Sequence, residues 1–186
     1  MTTFTCTPAD TALLMIDLQE RFLPAIPDMA ADKPCGRNSV ILATAARTLG
    51  LPVVISEQYP KGLGHTLPWI AEAADGAAIV EKTAFSCCDE SELCLRLDRL
   101  SRRTVVLCGV EAHVCVLSSA ADLVARGFTV LVAADAVASR RTENRDQALA
   151  AMRDLGALVL PTESILFRLL RRAGTPEFKT ISALVK

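Results

Sequence analysis

A chain of 186 residues with a formal net charge of −1 suits one domain with a single core and offers no basic stripe for nucleic acid. No apolar run approaches membrane-spanning length, and the opening MTTFTCTPAD lacks the basic-then-apolar pattern of a secretory leader. Seven cysteines, with no C-x-x-C pair or His/Cys cluster, fit a reduced, cytoplasmic protein.

The first buried-strand candidate is Thr11–Ile16, TALLMI, and Asp17 ends it. QERFLPAIPD follows as a loop with two prolines. Lys33–Leu49 reads as a helix, with Ile41, Ala45 and Leu49 on one face and Gly50 closing it. Pro52–Ser56 is a second strand. After it comes EQYPKGLGHTLP, long for a compact domain and so a candidate functional loop. Trp69–Ala74 suggests a short helix, and Ala77–Glu81 a third strand with Lys82 directly after it. Asp89-x-x-Glu92 has the form of a capping box, ahead of a stripe of Leu93, Leu97 and Leu100.

The stretch TVVLCGVEAHVCV, Thr104–Val116, is the most informative. It opens as a buried strand, breaks at Gly109, and feeds a helix from Val114 to Arg126 that stops at Gly127. Cys115 therefore falls in the first turn of a helix, where unpaired N–H groups and the helix dipole lower a thiol pKa; at this point a small buried hydrophobe is an equal reading. Phe128–Ala133 is a fifth strand, then a polar loop SRRTENR, a helix to Leu155, and a sixth strand Ala157–Leu160. Thr162 can cap a helix ESILFRLLRRA, and Thr-Pro in the tail TPEFKTISALVK marks a further start. No repeat or linker divides residues 1–186.

Strands alternating with helices predict an α/β fold: a Rossmann-like three-layer α/β/α sandwich with a six-stranded, mostly parallel sheet. A composition 51% hydrophobic but only 4% aromatic suits such a sheet and leaves room for a subunit interface. In open sheets of this kind, ligands bind beyond the C-terminal strand ends. Asp17, Lys82 and Cys115 stand at three of those ends, on one rim. A thiolate attacks a carbonyl when a base takes its proton and a cation steadies its charge. Asp17 then serves as base and later as acid, Lys82 as electrostatic support, and Cys115 as nucleophile. The turn between Gly109 and Cys115 is a source of oxyanion donors. The reaction class is acyl transfer to water with release of an amine.

MIDLQERF, EKTAFS and GVEAHVCV, in this order and spacing, resemble the isochorismatase-like cysteine hydrolases, which include nicotinamidases and N-carbamoylsarcosine amidohydrolases. The resemblance implies a Rossmann-like fold and an Asp-Lys-Cys triad on Asp17, Lys82 and Cys115. It also implies a cis peptide at Val110–Glu111 and an oxyanion hole from the N–H groups of Glu111 and Cys115. EQYPKGLG, ADAVASR and PEFKTISALVK are most similar to the small isochorismatase-domain proteins. Nicotinamidases carry metal ligands after the second strand. Here that loop reads Gln58-Tyr59-Pro60, and His65 and His113 have no ligand spacing, so no catalytic metal and no cofactor are expected. Isochorismatases proper lack the cysteine, so Cys115 argues against vinyl-ether cleavage.

The candidate substrate contacts are Gln19, Phe22, Gln58, Tyr59, Phe85 and His113. For the aromatic residues core packing is an equal reading, and His113 also suits a packed turn. Gln19 is expected to hold Asp17 through a hydrogen bond. The Arg140–Arg145 run suits a solvated loop or subunit contact, and Cys87, Cys88 and Cys108 read as inert thiols. The expected partners are a small-molecule substrate and further copies of the chain, as a dimer or tetramer, with no membrane or nucleic acid. The alternative function is a metabolite-binding or interaction protein, or a thiol sensor, that keeps the hydrolase pocket.

Overall fold

A computed structural model describes residues 6–186; the first five residues, part of the stretch read for a leader, lie outside it. The strands are β1 (Thr11–Ile16), β2 (Val53–Gln58), β3 (Ala78–Lys82), β4 (Thr104–Gly109), β5 (Thr129–Val137) and β6 (Leu158–Leu160). They form one sheet in the order β3-β2-β1-β4-β5-β6, and every pairing is parallel. The sheet expected to be mostly parallel is entirely so. Helices pack on both faces, as parallel pairing demands, because each crossover lays a helix across the sheet.

The two-residue period of the strands sorts their side chains between two cores. Leu13 and Met15 face one, with α1 (Pro34–Leu49), α7 (Thr162–Leu170) and α8 (Pro176–Leu184). Leu14 and Ile16 face the other, with α4 (Ser91–Arg99), α5 (Leu117–Ala125) and α6 (Thr142–Asp154). The short helices α2 (Pro60–Leu63) and α3 (Pro68–Ala73) lie between β2 and β3. Among the described residues no helix is long and apolar enough to cross a membrane.

Several element limits differ from the sequence reading, for local reasons. The helix expected from Val114 to Arg126 is split: a π-turn, Ala112–Val116, precedes α5. The fifth strand runs to Val137, beyond the expected end at Ala133, because the ladder slips past Leu107 and Gly109 pairs with Val137. The Asp89 capping box does not form; Glu90 is the N-cap and has no side-chain cap bond. Thr162 lies inside α7 instead of capping it, and its N–H and hydroxyl donate to Asp135 Oδ1 at 2.8 and 2.6 Å. Thr175 does cap α8, accepting the Phe178 N–H at 3.1 Å.

Gly109 admits no side chain. Gly109 ends β4 at φ +122°, and a Cβ there would lie 2.0 Å from the Ile16 carbonyl oxygen. Val110 N–H then donates to that same oxygen at 2.9 Å. The backbone of β4 is thus pressed against the end of β1, so the turn after β4 starts beside Asp17.

Candidate active site

Strand order reverses between β1 and β4, and a crevice at such a switch point is where open α/β sheets place ligands. Asp17 follows β1 directly. Its φ of +54° lies in the left-handed region, which aspartate tolerates better than most residues. Cys115 follows β4 within the π-turn. Lys82 is the last residue of β3 and reaches back across β2. All three residues are buried, Cys115 being 4% exposed.

Lys82 Nζ lies 2.8 Å from Asp17 Oδ2. An ammonium has three hydrogens. They have three neutral acceptors: Gln58 Oε1 at 2.6 Å, the Ala84 carbonyl at 3.1 Å and the Phe85 carbonyl at 3.2 Å. The contact to Oδ2 is an ion pair at hydrogen-bonding distance, so the ammonium is shared among four acceptors, and that buried oxygen has no other donor. The other oxygen, Oδ1, accepts the Ser56 hydroxyl at 2.6 Å. The Cys115 thiol is within hydrogen-bonding reach of both Asp17 and Lys82.

Burial lifts the Asp17 carboxyl above its ordinary value, while Lys82, Ser56 and Cys115 pull it back. Burial pulls Lys82 down, but the facing Asp17 and Cys115 carry it above the usual lysine value. Burial and the Asp17 charge push the Cys115 thiol up to about 12, against the pull of Lys82. This corrects the expected lowering by a helix N-terminus. The thiol precedes α5 in a π-turn, and desolvation plus a carboxylate outweigh the dipole. At neutral pH the sulfur rests as S–H.

The residues expected to contact substrate separate into two groups. Gln19 does not bond the Asp17 side chain: its carboxamide accepts the Gln58 N–H at 2.7 Å and donates to the Gln58 and Gly64 carbonyls at 3.0 and 2.7 Å. Gln58 is spent on Lys82 and on the Thr83 carbonyl, 2.8 Å away. Phe22 is half-buried against the core. His113 is engaged through both ring nitrogens, with Ser139 Oγ at 3.0 Å and Asn144 Nδ2 at 3.3 Å. Tyr59 and Phe85 are exposed, at 54% and 61%. Tyr59, with Pro60, Lys61, Lys82 and Thr83, borders a cleft of about 250 Å³ beside the β2 and β3 ends.

The loop after β2 is fastened down. Glu57, buried beneath it, accepts the Thr66 N–H and hydroxyl at 2.7 Å each and faces His65 Nδ1 at 3.0 Å. Burial would lift the Glu57 carboxyl, but these partners together hold it below the usual range. Across the site, Glu111 accepts the Arg140 N–H at 2.9 Å and pairs with its guanidinium at 3.1 Å. The Val110–Glu111 peptide is cis. No group of three or more His, Cys, Asp or Glu side chains suited to a metal occurs among the described residues.

A parallel sheet that gathers a thiol, a carboxylate and an ammonium at its switch point is a Rossmann-like α/β fold with a candidate active site on one rim. The chain belongs to the isochorismatase domain family, whose model matches residues 11–164. It is 41% identical over 180 residues to isochorismatase domain-containing protein 1 of Salmo salar, covering 96% of this chain and 62% of that protein. It thus spans less than two thirds of that relative's length. It is 38% identical over 183 residues to isochorismatase domain-containing protein 2A of Mus musculus, covering 96% of this chain and 84% of that protein. The structure of a Caenorhabditis elegans protein named MAR1 ribonuclease superposes with a TM-score of 0.89 at 37% identity, over 97% of this chain and 92% of that one.

Proposed function

We propose that the protein is a metal-independent cysteine hydrolase that cleaves the C–N bond of a small amide or carbamoyl compound. The supporting observation is Asp17 Oδ2, which meets the Lys82 ammonium and has no other donor. Lys82 shares its hydrogens among Asp17 and three neutral acceptors, and no other donor sits on Oδ2, so that oxygen can take a proton from Cys115 beside a fixed positive charge. A carboxylate lifted by burial is also a stronger base than one in water.

In the proposed reaction the S–H proton passes to Asp17 Oδ2 as the sulfur attacks the carbonyl carbon. The carbonyl π electrons move onto oxygen, which the N–H groups of Glu111 and Cys115 receive. Collapse of that intermediate breaks the C–N bond, and the leaving amine takes the proton from Asp17. Water then attacks the thioester, giving a proton to Asp17. The acyl–sulfur bond breaks, the acid departs, and Asp17 returns the proton to sulfur. Tyr59 and Phe85 remain as candidate substrate contacts at the rim, and His113 as a wall held by Ser139 and Asn144.

A thiol sensor fits less well, because redox sensing relies on a standing thiolate, whereas in the hydrolase the thiolate forms only as Asp17 takes the proton. The worm relative's name, MAR1 ribonuclease, directs attention to RNA, but a net charge of −1 gives this chain little electrostatic attraction for it. The test is a panel of small amides, ureas and carbamoyl compounds assayed for ammonia or amine release, with RNA beside them. Release that EDTA leaves unchanged and Cys115→Ala abolishes is expected. RNA cleavage without any amine release, or release restored to an EDTA-treated protein only by a metal, would overturn the proposal.

We also propose that copies of the chain associate. Ile79, on the edge strand β3, is 51% exposed, and Leu95, on α4, is 53% exposed. Sedimentation velocity at micromolar concentration should show a dimer or tetramer; a monomer alone would refute association.

A further inference from the structure

We propose that Ser56 is a positioning residue that decides which oxygen of Asp17 carries the catalytic proton. The proposal rests on the hydrolase reading above. Ser56 belongs to β2, one strand from Asp17, and both residues are completely buried. The parallel ladder brings them together, for Asp17 N–H donates to the Ser56 carbonyl at 3.1 Å. The Ser56 hydroxyl then donates to Asp17 Oδ1 at 2.6 Å.

The direction of that hydrogen bond is set by its partners. An ionised carboxylate only accepts, so Ser56 must give its one hydrogen to Oδ1. Behind Ser56 stands the Cys87 thiol, fully buried and in hydrogen-bonding reach of the hydroxyl. Burial and Asp17 keep Cys87 protonated, near 11, so its S–H can donate to Ser56 Oγ. Ser56 donates to Asp17 Oδ1 with the Cys87 thiol standing behind it. Cys87 is itself fixed, for its N–H donates to Ser119 Oγ on α5 at 2.9 Å. Ser56 has no reason to rotate its hydrogen away.

The consequence is regiochemical. Oδ1 holds the Ser56 hydroxyl and Oδ2 meets only the Lys82 ammonium, so the Cys115 proton is directed to Oδ2. When Oδ2 becomes O–H, Oδ1 remains an acceptor and the Ser56 hydrogen bond persists. No group on the far side of Asp17 must reorient during proton transfer, which is what electrostatic preorganisation requires. The hydroxyl also favours the ionised carboxyl and holds back the upward push of burial.

The experiment reads Cys115 itself and needs no substrate. The rate of Cys115 alkylation by iodoacetamide is followed against pH by peptide mass mapping in wild type, Asp17→Asn, Ser56→Ala and Ser56→Thr. In wild type the rate should rise with ionisation of Asp17, and Asp17→Asn should remove that limb. Loss of the Ser56 donor should move the limb to higher pH by about one to two units, because the ionised carboxyl loses a hydrogen bond. Ser56→Thr keeps a hydroxyl and should keep the wild-type limb. A purely structural serine would lower the melting temperature and leave the limb in place.

If Ser56→Ala does not fold, Ser56→Cys carries the test, with a smaller upward shift expected from its weaker S–H donor. A wild-type limb in Ser56→Ala, or in Ser56→Cys where the alanine variant does not fold, or an Ala-like limb in Ser56→Thr, overturns the role of Ser56. A wild-type protein whose Cys115 alkylation does not depend on Asp17 overturns the hydrolase reading instead, so the two failures are told apart.

Discussion

Cys115→Ala is expected to lower turnover of the compound that the amide panel yields by roughly 10⁴- to 10⁶-fold, the scale lost when an enzyme's nucleophile is removed. The fold should survive. Cys115 belongs to the buried cluster that includes Leu14, Ile16 and Val116, and alanine removes only one sulfur from it. The direct stability cost should be about 1 kcal/mol. Binding of the compound should persist, because the positioning groups remain. Cys115→Ser should rescue little. Its hydroxyl is far less acidic than a thiol already held near 12, and Asp17 is too weak a base to remove that proton. The checks are steady-state amine release and intact mass after rapid quenching. Wild type should show an acyl adduct on Cys115 that both variants lack. Turnover by Cys115→Ala within tenfold of wild type would remove the cysteine from the chemistry.

The architecture is legible because each buried strand is a short apolar run with a polar or glycine stop. TALLMI ends at Asp17 and TVVLC at Gly109, and both ends lie where expected. The site residues are legible for the same reason: a reactive side chain at a strand's C-terminal end can only stand on one rim of a parallel sheet. What surrounds them is not. Ser56 reads as the last residue of an apolar run, and only the register Ile16↔Ser56 sets it beside Asp17. Gln58 reads as a loop residue facing substrate, but β2 is two residues longer than its apolar core, and Gln58 pairs with Lys82. The thiol's acidity escapes the sequence because helix polarity can be read along one segment, whereas burial and the Asp17 charge come from β1 and β3, far away in the chain. The extension of β5 depends on a slip in its ladder, which no local pattern signals.

Lys82→Met should show how much the buried ion pair contributes, through the pH dependence of stability. Removing one partner of a buried pair typically costs about 3–5 kcal/mol, because the other charge stays behind. Two parts of that cost separate by pH. Gln58 Oε1, Ala84 O and Phe85 O lose their donor at every pH, a constant loss. Asp17 adds a part that depends on its protonation. Without Lys82, burial lifts the Asp17 carboxyl further above its unfolded value of about 3.9. Between those two values the native state holds a proton that the unfolded state has released. Stability then falls as pH rises, by up to about 1.4 kcal/mol per unit, until the folded group also ionises. Below the unfolded value both states are protonated and this part vanishes. In wild type Lys82 opposes the lift and should flatten the slope. Urea unfolding from pH 4 to pH 8 should therefore show a stability gap between wild type and Lys82→Met that widens with pH. A second variant, Lys82→Met with Asp17→Asn, should close most of that widening, since no buried carboxyl remains to ionise. A gap of constant size across the range would mean that Asp17 is not held as the ionised partner of Lys82, and that the proton acceptor assigned to Cys115 must be sought elsewhere.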